Sequence, residues 1–132
     1  MANKTIMIVE DDVLHMKLFN DVLESRGYQT LRTTDADRTV PLARQHHPDL
    51  INMDIQLPFI SGLELLKRLK DENDPEDIPV IAVTVLADDW DEDEYLSHGF
   101  DAYLAKSIAI LHFLNTVAGF FDPSPLEFHQ CA

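Results

Sequence analysis

Leu50-Ile51-Asn52-Met53-Asp54-Ile55-Gln56-Leu57-Pro58 is the stretch on which the reading of this chain turns. The run Leu50 to Met53 has the length and character of a buried strand, and it ends on a carboxylate. A carboxylate at the carboxyl end of a buried strand stands where open α/β sheets bind their ligands. A similar run, Thr5-Ile6-Met7-Ile8-Val9, ends in Glu10-Asp11-Asp12. Two neighbouring strands would therefore bring several carboxylates to one rim. Such groups repel one another unless a proton or a divalent cation compensates them, which points to a phosphoryl-acceptor or Mg²⁺ site.

Working outward, strand-like and helix-like runs alternate along the whole chain, with no internal repeat or low-complexity segment. That alternation predicts a doubly wound α/β fold, a (βα)₅ unit with five parallel strands and helices on both faces. The first helix is expected from about Asp12 to Arg26, with Leu14, Leu18, Phe19, Val22 and Leu23 at helical spacing and Gly27 as its stop. Tyr28 to Thr33 follows as a strand. Asp37 to His46 reads as a helix that Pro41 must either begin or kink. After Asp54, Ser61 caps a helix whose third position is Glu64, just ahead of Leu65, Leu66 and Leu69. Val80 to Val83 is a short β-branched strand that delivers Thr84 to the rim of Asp54. An acidic helix then runs to about Gly99, Ala102 to Leu104 forms the fifth strand, and Lys106 lies just beyond it. A last helix runs from Ile108 to about Phe121. The expected organisation is one domain over 1–121 and a short tail over 122–132, with Pro123 and Pro125.

Composition bounds the function. The chain has 132 residues, a single domain's worth, and its 45% hydrophobic content suits a globular core. No apolar run approaches the roughly 18 residues a membrane helix needs, so membrane insertion is not expected. The start, Met1-Ala2-Asn3-Lys4, has no signal-peptide pattern, and Cys131 is the only cysteine; both favour the cytoplasm. A formal net charge of −14 argues against nucleic acid, whose phosphates select basic patches. The charge is densest at Asp88, Asp89, Asp91, Glu92, Asp93 and Glu94 around Trp90, a stretch suited to steering a basic partner. Six histidines show no zinc-type spacing with cysteine. Phe120-Phe121 reads as the last core contact of the final helix.

Glu10, Asp11, Asp54, Thr84 and Lys106 all fall at strand ends on one rim. Phosphoryl transfer to a carboxylate needs a nucleophile, a Mg²⁺ ion, a hydroxyl donor and a cation for the transferred oxygens. Asp54 would attack, Asp11 would bind Mg²⁺ directly, Glu10 directly or through water, and the Gln56 backbone carbonyl would add a ligand. Thr84 would donate to the phosphoryl group and Lys106 would pair with it as a point charge. A dehalogenase-type phosphatase also uses a nucleophilic Asp and Mg²⁺, but it wants a second acid two residues later, where this chain has Gln56.

On these residues the chain resembles the receiver domains of bacterial two-component response regulators, whose fold is CheY-like or flavodoxin-like. The likeness covers residues 4 to about 121. It rests on Val9-Glu10-Asp11, Pro48-Asp49-Leu50, Met53-Asp54-Ile55-Gln56-Leu57-Pro58, Ser61-Gly62-Leu63-Glu64, Val83-Thr84 and Ala102-Tyr103 with Lys106. Thr84 lies 30 residues after Asp54 and Lys106 a further 22 on, intervals similar to the family's. The wording Met16-Lys17-Leu18-Phe19 is most like stand-alone receivers of cell-cycle and polarity signalling. The resemblance implies phosphotransfer to Asp54 from a histidine kinase or phosphotransfer protein, and a population shift on the face of the fourth helix, fifth strand and fifth helix. In that scheme Thr84 moves toward the phosphoryl group and Tyr103 turns inward behind it. With no second domain following, output to a downstream effector would pass through protein contacts, from a monomer or weak dimer. Leu14, His15 and Leu18 on the first helix form the expected kinase-docking surface.

Three features depart from the family pattern. Ser107 follows Lys106 where the family usually has proline on a cis bond. A cis bond before a non-proline residue costs about 2.5–4 kcal/mol, so a trans bond and a less constrained lysine are expected. Val85 adds β-branched bulk beside the path of the donor, and Leu86 offers a hydrolytic water no polar neighbour, which together predict a long-lived phosphoryl group. The acidic fourth helix is the third. The rival reading, a phosphorylation-independent receiver-like adaptor, draws on these departures.

Overall fold

The computed structural model describes residues 4–58, 60–71, 78–84, 89–106 and 110–121, and of Asp89 to Asp91 the helical path alone. In chain order the elements are β1 (Thr5–Val9), α1 (Val13–Ser25), β2 (Gln29–Thr33), a 3₁₀ turn (Ala36–Arg38), α2 (Thr39–His46), β3 (Leu50–Asp54), α3 (Gly62–Asp71), β4 (Val80–Thr84), α4 (Asp89–Ser97), β5 (Ala102–Ala105) and α5 (Ile110–Phe121). The strands form one parallel sheet in the order β2-β1-β3-β4-β5, the doubly wound (βα)₅ arrangement expected from the alternation. The expected tail over 122–132 lies outside the described residues.

β3 and β4 are buried at every position, as strands covered by helices on both faces must be. β2, at one edge, is buried only at Thr33. The pleat divides the core in two. Met7, Val9, Ile51, Met53, Val80, Ala82 and Tyr103 face α2, α3 and α4 through Ala43, Leu65 and Leu66. Ile6, Ile8, Leu50, Ile81, Val83 and Leu104 face α1 and α5 through Phe19, Leu23, Phe113, Leu114 and Val117. Two carboxylates close the amino end of the sheet, where strand N–H groups lack a ladder partner. Asp49 Oδ2 accepts from Thr5 N at 2.8 Å while Asp49 N donates to Thr5 O, and Asp101 does the same for Val80 at 2.9 Å.

Local sequence accounts for most boundaries. Asp12 caps α1, accepting from Leu14 N at 3.0 Å, and Gly27 ends it with φ +89°, open to glycine at no steric cost. Pro41 falls in the first turn of α2, where its missing N–H is no loss, so it begins the helix rather than kinking it. α2 ends at His47 in the left-handed conformation (φ 49°), immediately before Pro48. Ser61 caps α3 as expected, its Oγ accepting from Glu64 N at 3.1 Å.

Strand order positions the site. The winding reverses between β1 and β3, so the crevice beyond their carboxyl ends receives Glu10 and Asp54 side by side.

Candidate functional site

Glu10 directly follows β1, and its N–H donates to Thr33 O of β2 at 3.2 Å. Its carboxylate is 1% exposed, and Oε2 accepts from Asp12 N at 3.2 Å. Asp54 is 2% exposed; its Oδ1 accepts from Gln56 N at 2.8 Å, which folds the β3–α3 loop back over the carboxylate. Lys106 is placed by its own backbone, the N–H donating to Thr84 O at 2.7 Å. From there the ammonium reaches Glu10 Oε2 at 2.7 Å and Asp54 Oδ2 at 3.0 Å. The lysine is therefore aimed into the site. Ser107 and the Lys106–Ser107 peptide, like Val85 and Leu86, lie outside the described residues.

Asp11 completes the acidic group. It is exposed, and one oxygen each from Glu10, Asp11 and Asp54 lie within 4.8 Å of one another. Asp12, next in sequence, is otherwise engaged. Its Oδ1 caps α1 and its Oδ2 lies 2.6 Å from His15 Nδ1. Slight desolvation pushes the Asp12 carboxyl up, but the Leu14 N–H and the His15 ring outweigh it and hold the group below the usual carboxylate range.

The electrostatics follow from the crowding. Burial, with the Asp54 carboxylate adding to it, pushes Glu10 up to about 7 in spite of the Lys106 ammonium. Burial pulls Lys106 down, yet its bonds to Glu10 and Asp54 raise it more, so it lies above the usual lysine value. Three carboxylates against one ammonium leave an excess of negative charge that a cation offsets. The donor set is oxygen alone, which suits a hard divalent ion such as Mg²⁺ over zinc or copper. Gln56 borders the same group through its peptide.

Thr84 is buried at the end of β4, where the alternation turns it toward the α3 and α4 side. Tyr103 shares that side. It is already inward, 9% exposed, with its ring stacked on Tyr95 of α4 at 5.6 Å and 15°. Tyr95 also meets Phe100 edge-on at 6.0 Å. Sequence reading missed Tyr95, because the helix around it is acidic and lacks a clear apolar stripe. On α1, Leu14 is 76% and Leu18 40% exposed beside the acidic pocket, as expected of a surface, and Val13 (72%) belongs with them. Leu111 on α5 is 60% exposed, a further apolar residue that the reading passed over. Trp90 lies on α4, its side chain outside the description. Among the described residues no helix is long and apolar enough to cross a membrane.

Comparison with known proteins finds relatives of this chain in both sequence and fold. Residues 6–118 match the response regulator receiver domain family. The chain is 50% identical over 117 residues to the polar-differentiation response regulator DivK of Brucella ovis, covering 89% of this chain and 95% of that protein. Among solved structures, a response regulator from Desulfuromonas acetoxidans superposes with a TM-score of 0.82 at 26% identity, over 92% of this chain and 98% of the other. The receiver domain of a sensor histidine kinase from Pseudomonas aeruginosa, with a magnesium ion coordinated in its active site cleft, gives a TM-score of 0.80 at 26% identity, over 90% and 98%.

Proposed function

The chain belongs to the response regulator receiver family, and on that premise we propose that it is a DivK-like phosphoacceptor switch in which Asp54 receives a phosphoryl group from a histidine kinase or phosphotransfer protein. Receiver domains are phosphoacceptors that work through such kinases and through downstream effectors. What supports the reading here is one observation: the Lys106 ammonium bridges Glu10 at 2.7 Å and Asp54 at 3.0 Å, with Asp11 completing an oxygen cage beside it.

In the transfer, an Asp54 oxygen attacks phosphorus, the P–N bond of the donor phosphohistidine breaks, an acyl phosphate P–O bond forms, and the departing imidazole keeps the electron pair and takes a proton. Asp11, Glu10, Asp54 and the Gln56 carbonyl would hold Mg²⁺, which supplies charge neutralisation for the attacking and transferred oxygens. Lys106 exchanges its bond to Asp54 for one to the incoming phosphoryl oxygens. Gln56 N–H keeps the Asp54 carboxylate in orientation throughout. Thr84 donates to the phosphoryl group and carries the event to Tyr103, α4 and α5, where an effector reads it. The exposed Val13, Leu14 and Leu18, with His15, form the docking surface for the kinase. A role in polar differentiation follows the naming of the DivK relatives.

The test is to incubate the protein with Mg²⁺ and either acetyl phosphate or beryllium fluoride, with Asp54→Asn as the control, and to follow the Tyr103 ring by NMR. An Asp54-dependent response is expected, with a phosphoryl half-life of minutes or longer given Val85 and Leu86. No response would leave the phosphorylation-independent adaptor as the better reading.

A further inference from the structure

Asn52 sits one pleat behind the nucleophile. On β3 the alternation sends Leu50, Asn52 and Asp54 to the face covered by α1 and α5, and Ile51 and Met53 to the other. The register partners of Asn52 are Ile8 on β1 and Ile81 on β4, both fully buried in the layer that Phe19, Leu23 and Phe113 complete. Asn52 is thus an amide inside an apolar layer. It is 2% exposed, and its Oδ1 is a buried side-chain atom with no hydrogen-bond partner among the described residues. A buried acceptor in that condition costs its desolvation, whereas an apolar side chain of the same size would not, so packing alone gives no reason for an amide here.

The neighbours one pleat further supply the reason. Beyond Ile8 and Asn52 on the same face stand Glu10 and Asp54, and the Lys106 ammonium lies across the two. Two residues of strand advance about 6.6 Å. Two hydrogen bonds in series through one water span roughly 5.6 Å, a length of the same order as that advance, so one water is the bridge this spacing calls for between the Asn52 amide and the ammonium. An ammonium has three N–H donors, and Glu10 and Asp54 take two. The third, with the oxygens of Glu10 and Asp54 nearby, gives such a water the polar partners that a buried water needs.

We propose that Asn52 is a positioning residue for Lys106, seating an internal water that joins its Oδ1 to the ammonium and holds the lysine in the pocket, ready to pass from Asp54 to an arriving phosphoryl group. The inference rests on the phosphoacceptor reading for its consequence, but the seating itself is measurable without phosphorylation. In the metal-free full chain, the ¹H–¹⁵N ammonium signal of Lys106, assigned by its loss in Lys106→Ala, is expected to be visible through slow exchange with solvent. Asn52→Leu should speed that exchange about tenfold or erase the signal, and Asn52→Ser, which keeps a hydroxyl and room for water, should largely preserve it. An unchanged signal in Asn52→Leu overturns the proposal. Asn52→Val serves as a second apolar variant should the leucine distort the strand.

The consequence is read in the rate of acetyl phosphate phosphorylation at saturating Mg²⁺. Asn52→Leu is expected to slow it about 5- to 10-fold while leaving the unfolding midpoint at or above that of the wild type, and to have no further effect in a Lys106→Ala background. An unchanged rate, or an effect that simply adds to that of Lys106→Ala, overturns the coupling to Lys106. If the wild type takes no phosphoryl group, the phosphoacceptor reading falls and the ammonium signal alone decides the role of Asn52.

Discussion

Among the described residues, Glu10 carries the clearest pH signature. Its folded value of about 7 lies above the ordinary 4.5, so between those limits the folded state holds a proton that the unfolded chain has released. The contribution of Glu10 to the stability of the metal-free protein therefore falls as pH rises from about 4.5 through 7, and Glu10→Gln is expected to remove that contribution to the slope in thermal melts taken from pH 5 to 8. A divalent ion competes for the same carboxylate. Mg²⁺ affinity is thus expected to strengthen with pH, by up to about tenfold per unit below 7 and little above it, as titration calorimetry at pH 6, 7 and 8 would report. Gly62 is a residue-scale constraint of another kind. A Cβ there would meet Ile55 Cα at 2.6 Å, and Gly62 N donates to Ile55 O at 3.1 Å, so the loop that carries Gln56 over Asp54 closes only on glycine. Gly62→Ala is expected to cost about 1–3 kcal/mol in urea unfolding and to displace the Gln56 N–H from Asp54.

At the scale of elements, α4 is the helix least explained by its own sequence. Asp89-Trp90-Asp91-Glu92-Asp93-Glu94-Tyr95-Leu96-Ser97 offers no regular apolar stripe, and Tyr95 is the residue seen to fasten it, stacked on Tyr103 of β5 and edge-on to Phe100. Motion at that aromatic contact is passed directly to the helix. Tyr95→Ala is expected to destabilise the fold by about 1–3 kcal/mol, to speed amide exchange in α4 and to shift the ring resonances of Tyr103, while α1 and α5 keep their protection. If α4 exchange were unaffected, the anchor would lie elsewhere on the helix. By contrast α1 and α3 were legible from sequence to within a residue or two. Their caps, Asp12 and Ser61, and their stop, Gly27 for α1, act through bonds to residues two or three places away.

Across the whole molecule, the net charge of −14 sets the terms on which any partner approaches. Exposed charges are screened beyond about 8 Å at physiological ionic strength, so steering of a basic partner is salt-sensitive. Association with an effector that binds the α4 face is expected to slow several-fold between about 50 and 300 mM salt, while dissociation, governed by buried contacts, changes little in stopped-flow measurements. The sequence by itself determined the five alternating units, the burial of β3 and β4, and the delivery of Glu10, Asp54, Thr84 and Lys106 to strand ends. These follow from periodicity and from short-range caps, which act within a few residues. Only the tertiary structure decided that Lys106 turns onto Glu10, 96 residues away, that Tyr103 is stacked inward on Tyr95, and that Asn52 lies behind Asp54 in an apolar layer. The physical reason is that a side chain's partners across a sheet depend on strand order and register. Those are set by packing among all five units, and no local run of residues encodes them.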